Sequence, residues 1–172
     1  MSLGLSFALL HDAFFAAIAA AGFGSIANPP LKALAAAAIL GAVGHGLRFY
    51  LMHALAMHSI PASFLGALSA ASLAYAVALK LRFPIEVLTF PAILPMVPGI
   101  PAYTSMLMLI KFLRCTDEVQ AQEYLLAVWR NGFSALFILS ALVAGMVMPM
   151  LLLHRTSQRM TRVRASVSGE HD

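Results

Sequence analysis

Five runs of apolar residues, each long enough to cross a hydrocarbon core, leave this chain few folds to choose from. They cover roughly 4–27, 31–56, 60–80, 85–111 and 125–153, and a membrane-crossing helix needs about 20 such residues. Lipid offers no water to an open backbone, so runs of this kind become helices that pair their own amides and carbonyls. Of the 172 residues, 61% are hydrophobic and 10% are charged, well under the roughly 25% charge of ordinary soluble domains. The predicted fold is therefore all-α and polytopic. It has one transmembrane domain over 1–155 with about five spanning helices, then a basic, polar and disordered tail over 156–172.

The punctuation between the runs is chemically sensible. Asn28-Pro29-Pro30 ends the first, because proline cannot supply the amide that a continuing helix needs. Ser59-Ile60-Pro61 opens the third, since proline is tolerated in a first turn. Lys80 to Pro84 separates the third from the fourth, and the polar stretch Lys111–Glu123 is read as a loop before the fifth. Trp129 then sits near the start of the last span, where an indole favours the interface.

The fourth run breaks the pattern. Thr89 to Thr104 holds Pro91, Pro95, Pro98 and Pro101 together with Gly99, so it must be kinked or unwound. Broken backbone at membrane depth persists where it is buried in protein or lines a water-filled cavity, and secondary transporters commonly place substrate sites there. Carbonyls freed by the prolines would suit a cation or water. Amides after Pro98-Gly99 would suit an anion, as at any helix start. Tyr103, Thr104 and Ser105 add hydroxyls one turn on. A kink with no ligand is the competing reading.

Ionisable residues caught inside the runs are the next signal. Ala33 to Leu47 spans about 22 Å as helix, too short to cross, so Arg48 lies in or at the edge of the second span. His45 is three positions earlier on the same face, and Gly41 and Gly44 let another backbone come close. An arginine fork grips a carboxylate at two points, so His45 and Arg48 are candidate substrate-binding residues; the plain alternative is an arginine snorkelling to the headgroups. Asp12 is similarly lodged in the first span, able to carry a proton, hold an ammonium or pair with Arg48. His11 faces elsewhere. His53 and His58, placed in a loop, and His154 read as interfacial residues, and Asn28, Asn131 and Ser134 are weaker candidates still.

Basic residues orient the chain. With five crossings, Lys32, Lys80, Arg82, Arg155, Arg159, Arg162 and Arg164 share one side, and Lys111 and Arg114 lie on the other. The positive-inside rule puts the C-terminus in the cytoplasm and the N-terminus outside. A re-entrant fourth run would leave the division nearly even. No Lys or Arg precedes Lys32, so no signal-peptide n-region is recognisable. The net charge of +4 is gathered at membrane flanks and not on a groove-reading face, which argues against nucleic acid.

One cysteine, Cys115, rules out an internal disulfide and a multi-cysteine metal site. The ten methionines have no regular spacing and read as packing. No nucleophile–base pair, phosphate loop or zinc spacing is present, so no metal, cofactor or enzyme activity is expected.

Leu40-Gly41-Ala42-Val43-Gly44-His45-Gly46-Leu47-Arg48 and Ile93 to Thr104 resemble the two signature segments of threonine/serine-exporter-type carriers. The likeness is to the small YjjB-like subunit of the split form and runs over nearly the whole chain. It implies a multi-pass protein of the bacterial inner membrane, exporting threonine and serine or, in split systems, succinate, on a proton gradient. It also implies a larger YjjP-like membrane subunit as partner, and leaves homo-oligomerisation open. Pro101 departs from the smaller residue that the resemblance implies there. A second function class stays in play: a non-transporting assembly or stabilising subunit whose buried charges bind its partner.

Overall fold

The structure, a computed structural model, describes the backbone of residues 3–168 and the side chains of residues 4–152. It holds six α-helices and, among the described residues, no strand: α1 (Leu3–Ser25), α2 (Leu31–Ala54), α3 (Ser59–Leu81), α4 (Ile85–Ile93), α5 (Gly99–Arg114) and α6 (Glu118–Ser168). A short 3-10 turn, Leu94–Met96, follows α4. Four helices are long and apolar enough to cross a membrane, and the count reaches five if the pair α4 and α5, bent by 52°, is one crossing.

Local chemistry sets the ends. α1 closes in turns, with the Asn28 amide donating to the Ser25 carbonyl at 2.9 Å and Asn28 itself at φ 47°. Asparagine tolerates that left-handed region better than most residues. Pro30 then starts α2. The His58 ring accepts from the Ile60 amide to cap α3, and Arg82, also left-handed, ends it.

Two boundaries differ from the sequence expectation. The polar stretch Lys111–Glu123 is mostly helix: only 115–117 separate α5 from α6, because Asp117 accepts from the Val119 amide at 2.9 Å and starts α6 early. α6 then continues to Ser168, so the backbone of 156–168 is helical where an irregular tail is expected. No proline or glycine lies between Met150 and Ser168 to stop it. Residues 169–172 lie outside the described residues.

The helices pack through small residues. α2 lies at the centre against α1, α3 and α4, and α6 runs along α3 and α5. The buried positions of α3 include Ala62, Gly66, Ala70, Ala74 and Ala78, one every fourth residue, while bulky side chains such as Phe7, Leu73, Leu113 and Phe137 point outward. That inversion of a soluble protein follows from lipid. Apolar bulk gains nothing by hiding from hydrocarbon, so close backbone approach supplies the packing.

Gly145 marks the closest contact between α3 and α6. A Cβ there would stand 2.6 Å from the Phe64 carbonyl and 3.0 Å from the Ala67 Cβ. Gly145→Val should therefore destabilise the chain by about 1–3 kcal/mol, the usual cost of overpacking, seen as a lower thermal unfolding midpoint in lipid or detergent. Gly22→Ala, with nothing within 4 Å of the added atom, should leave the midpoint unchanged or higher. Equal midpoints for Gly145→Val and the parent would show that the two helices are not held by this contact.

Candidate functional site

The break in the fourth run has a definite construction. α4 passes through Pro91 without interruption, and Pro101 sits in the first turn of α5, so neither is the break itself. The interruption lies between Leu94 and Pro98, around Pro95 and Pro98, with Gly99 already opening α5. There the Val97 amide donates to Leu94 at 3.1 Å, Pro98 has no amide, and the Gly99 amide turns back to Val97 at 2.8 Å. No helical amide among the described residues is left for the Met96 carbonyl.

Arg48 takes that carbonyl. Its Nη1 donates to Met96 O at 3.0 Å, joining the C-terminal third of α2 to the break. The Nε–H is buried and has no partner among the described residues. An unsatisfied buried donor on a cation is costly, and the edge formed by Nε and the neighbouring Nη2 is the fork that carboxylates accept at two points.

One turn before Arg48, His45 Nδ1 donates to Asp12 Oδ2 at 2.6 Å, a contact short enough for a charge-assisted bond between α2 and α1. Both side chains are part-buried. Asp12 therefore pairs with His45, and no Asp12–Arg48 ion pair forms among the described residues. The second carboxylate oxygen of Asp12 has no protein partner among them either. The site thus offers a fixed cation with a buried donor, and an anion with one oxygen, both unpartnered among the described residues, on facing helices.

Close backbone approach makes this possible. A Cβ on Gly66 of α3 would meet the Gly44 carbonyl at 2.8 Å, Arg48 Cβ at 3.2 Å and Met96 Sδ at 3.2 Å. Gly44 answers from α2: a Cβ there would meet Ala70 Cβ at 2.9 Å and the Gly66 carbonyl at 3.0 Å. Only two glycines facing each other let α3 press Arg48 and Met96 together.

The other predicted site residues stand apart from this cluster. Tyr103 is exposed on α5, Thr104 lies beside it, and α5 packs on α6, where Ser105 Oγ donates to the Val128 carbonyl at 2.9 Å. Gly99 faces open space. His11 lies between Phe7 and Phe15, and His53 belongs to the last turn of α2, stacked on Phe49 at 4.0 Å, and not to a loop. The Met96 carbonyl and Gly66 are the members that the sequence reading does not single out. Among the described residues no group of three or more metal-ligating side chains gathers.

Two cavities flank α4. One of about 150 Å³ is wholly apolar, between Phe90, Val97, Leu139 and Met146. Another of about 410 Å³ opens between the end of α1 and the start of α4, lined by Phe23, Ile26, Phe90 and Pro91, with Glu86 at its edge. Neither is lined by the Asp12–His45–Arg48 cluster.

No solved structure matches the chain. The family model described as Threonine/Serine exporter, ThrE, matches residues 12–152, a stretch that begins at Asp12 and takes in His45, Arg48 and the whole break. The chain belongs to the threonine/serine exporter family.

Proposed function

We propose that this chain, as one subunit acting with a larger YjjP-like membrane subunit, exports a small amino acid such as threonine or serine, in exchange for protons, through the Asp12–His45–Arg48 cluster. The observation that carries this reading is a buried cationic donor and a carboxylate oxygen, both unpartnered among the described residues, on two helices long and apolar enough to cross a membrane and beside a broken helix. A zwitterion fits it: carboxylate on the Arg48 fork, ammonium on Asp12.

The same groups supply a proton cycle. With Asp12 ionised, the site holds the cargo ammonium. A proton arriving from outside neutralises the Asp12–His45 pair, the ammonium loses its counter-ion, and cargo leaves. The reset carries that proton inward, where it is lost and the carboxylate is restored. The Nδ1 bond holds His45 and Asp12 together across α1 and α2 throughout.

Succinate is the second reading. Its first carboxylate suits Arg48, but the second would face Asp12 with no further cation from the cluster to receive it. Counterflow separates the two. Vesicles carrying the chain together with its larger YjjP-like partner subunit, loaded with unlabelled L-serine, should accumulate labelled L-threonine transiently; loading with succinate should not drive it. Counterflow driven equally by succinate would overturn the amino-acid assignment. The non-transporting alternative predicts no counterflow with either.

Orientation belongs to the same proposal: N-terminus outside, C-terminus in the cytoplasm of a bacterial inner membrane, on the seven-to-two division of basic residues. Reporter fusions at 82–84 and at 115–117, on either side of α4 and α5, should then report opposite sides. Both on one side would mean that α4 and α5 re-enter and do not cross.

A further inference from the structure

Arg48 makes two kinds of contact, and the proposed cargo site uses only one of them. The Nε edge faces no protein partner, while Nη1 ties α2 to the carbonyl at the break. That bond is the polar link between the central helix and the break, and the apolar contacts around it are methionine and glycine. Methionine is flexible and reshapes easily. A guanidinium also binds a carboxylate more strongly than it binds a neutral carbonyl, because the charged acceptor makes the shorter and stronger bond. A cargo carboxylate arriving at Arg48 therefore competes with Met96.

We infer that the Arg48–Met96 bond is a latch that holds the α4–α5 break shut, with Gly66 as the positioning residue that presses its two halves together. The competition step rests on the proposed role of Arg48 in cargo binding; the latch itself does not. When cargo takes the guanidinium, Met96 is released, and α5, which packs on α6 and buries none of its own residues, is the part free to swing. Gly66 enters through geometry: an added methyl meets the backbone carbonyl of Gly44, which cannot yield, and then Arg48 Cβ and Met96 Sδ, so one side of the latch must move.

Distance measurement by electron spin resonance tests this. Labels are placed at Ile39→Cys on α2 and Leu113→Cys at the far end of α5, both exposed positions, in a Cys115→Ser background of the full chain in the membranes of the producing cells. Without cargo, the parent should give one distance. Arg48→Met, which keeps the stem and loses every donor, should shift or broaden it by about 5 Å, the scale of a one-turn displacement. Gly66→Ala should do the same with Arg48 intact. Arg48→Lys keeps a donor for Met96 and should retain the parent distance. Saturating L-threonine should move the parent toward the Arg48→Met distribution and move Arg48→Lys only part of the way, since its ammonium keeps the charge and loses the fork.

Parent-like distances in both Arg48→Met and Gly66→Ala would overturn the latch. If Arg48→Met stops counterflow while the distance stays at the parent value, the cargo role stands and the latch falls. If the distance shifts while counterflow continues, the latch stands and the cargo role falls.

Discussion

Arg48→Gln should reduce L-threonine counterflow by about 100-fold, with the protein still inserted in the membrane and at parent abundance. A charge-assisted bond at two points is worth up to about 3 kcal/mol, and 1.4 kcal/mol is about tenfold in binding. The Nε donor is buried without a partner among the described residues, so its loss removes attraction for cargo and relieves an unsatisfied group. Glutamine keeps the side-chain stem as far as Cδ, so the packing around the stem is retained. Arg48→Lys should recover part of the rate, since an ammonium keeps the charge and loses the planar fork. The result to set against this is parent-level counterflow by Arg48→Gln, which would return Arg48 to a purely structural bond with Met96.

Asp12→Asn should separate exchange from accumulation. The amide can still accept from His45 but no longer takes up and releases a proton. Under a gradient of about one pH unit, each coupled proton supports about tenfold accumulation, since 1.4 kcal/mol is a factor of ten. The variant should lose that concentrating power and accumulate cargo only to equality, while L-threonine still exchanges for L-serine at a reduced rate. Vesicles with an imposed pH gradient, followed with labelled cargo and a pH-sensitive dye, measure both. Gradient-driven accumulation that survives in Asp12→Asn removes the carboxylate from coupling. Loss of exchange together with loss of the folded protein would instead make the Asp12–His45 bond a fastener between α1 and α2.

How far the sequence could be read depends on what each feature rests upon. The apolar runs and their proline and charge boundaries place α1, α2 and α3 within a few residues, because span length and missing amides are properties of the chain itself. The start of α6 at Glu118 is hidden, since charged residues suit a solvated first turn as well as a loop, and only the Asp117 cap decides between them. The juxtaposition of His45 and Arg48 follows from helical spacing. The choice of His45 and not Arg48 as the partner of Asp12 does not, because it depends on how α1 rotates against α2.

Gly66 is legible in the sequence. Ala62, Gly66, Ala70, Ala74 and Ala78 repeat at every fourth position, the small-residue stripe of a helix that meets its neighbours closely. The Met96 carbonyl had no such signal. Proline spacing shows that carbonyls near the break lose their amides, but which one meets Arg48 is fixed by the turn back of Gly99 to Val97. Tyr103 and Thr104 are close to the break in sequence, but they belong to α5, which the bend at the break directs onto α6.

The most direct measurement is an experimental structure of the chain in lipid with L-threonine bound. The expected result is a carboxylate on the Nε edge of Arg48 and an ammonium within hydrogen-bonding distance of Asp12, with the Met96 carbonyl released. Threonine held elsewhere, for instance in the cavity between Phe23 and Pro91, with the Arg48–Met96 and Asp12–His45 bonds undisturbed, would contradict it.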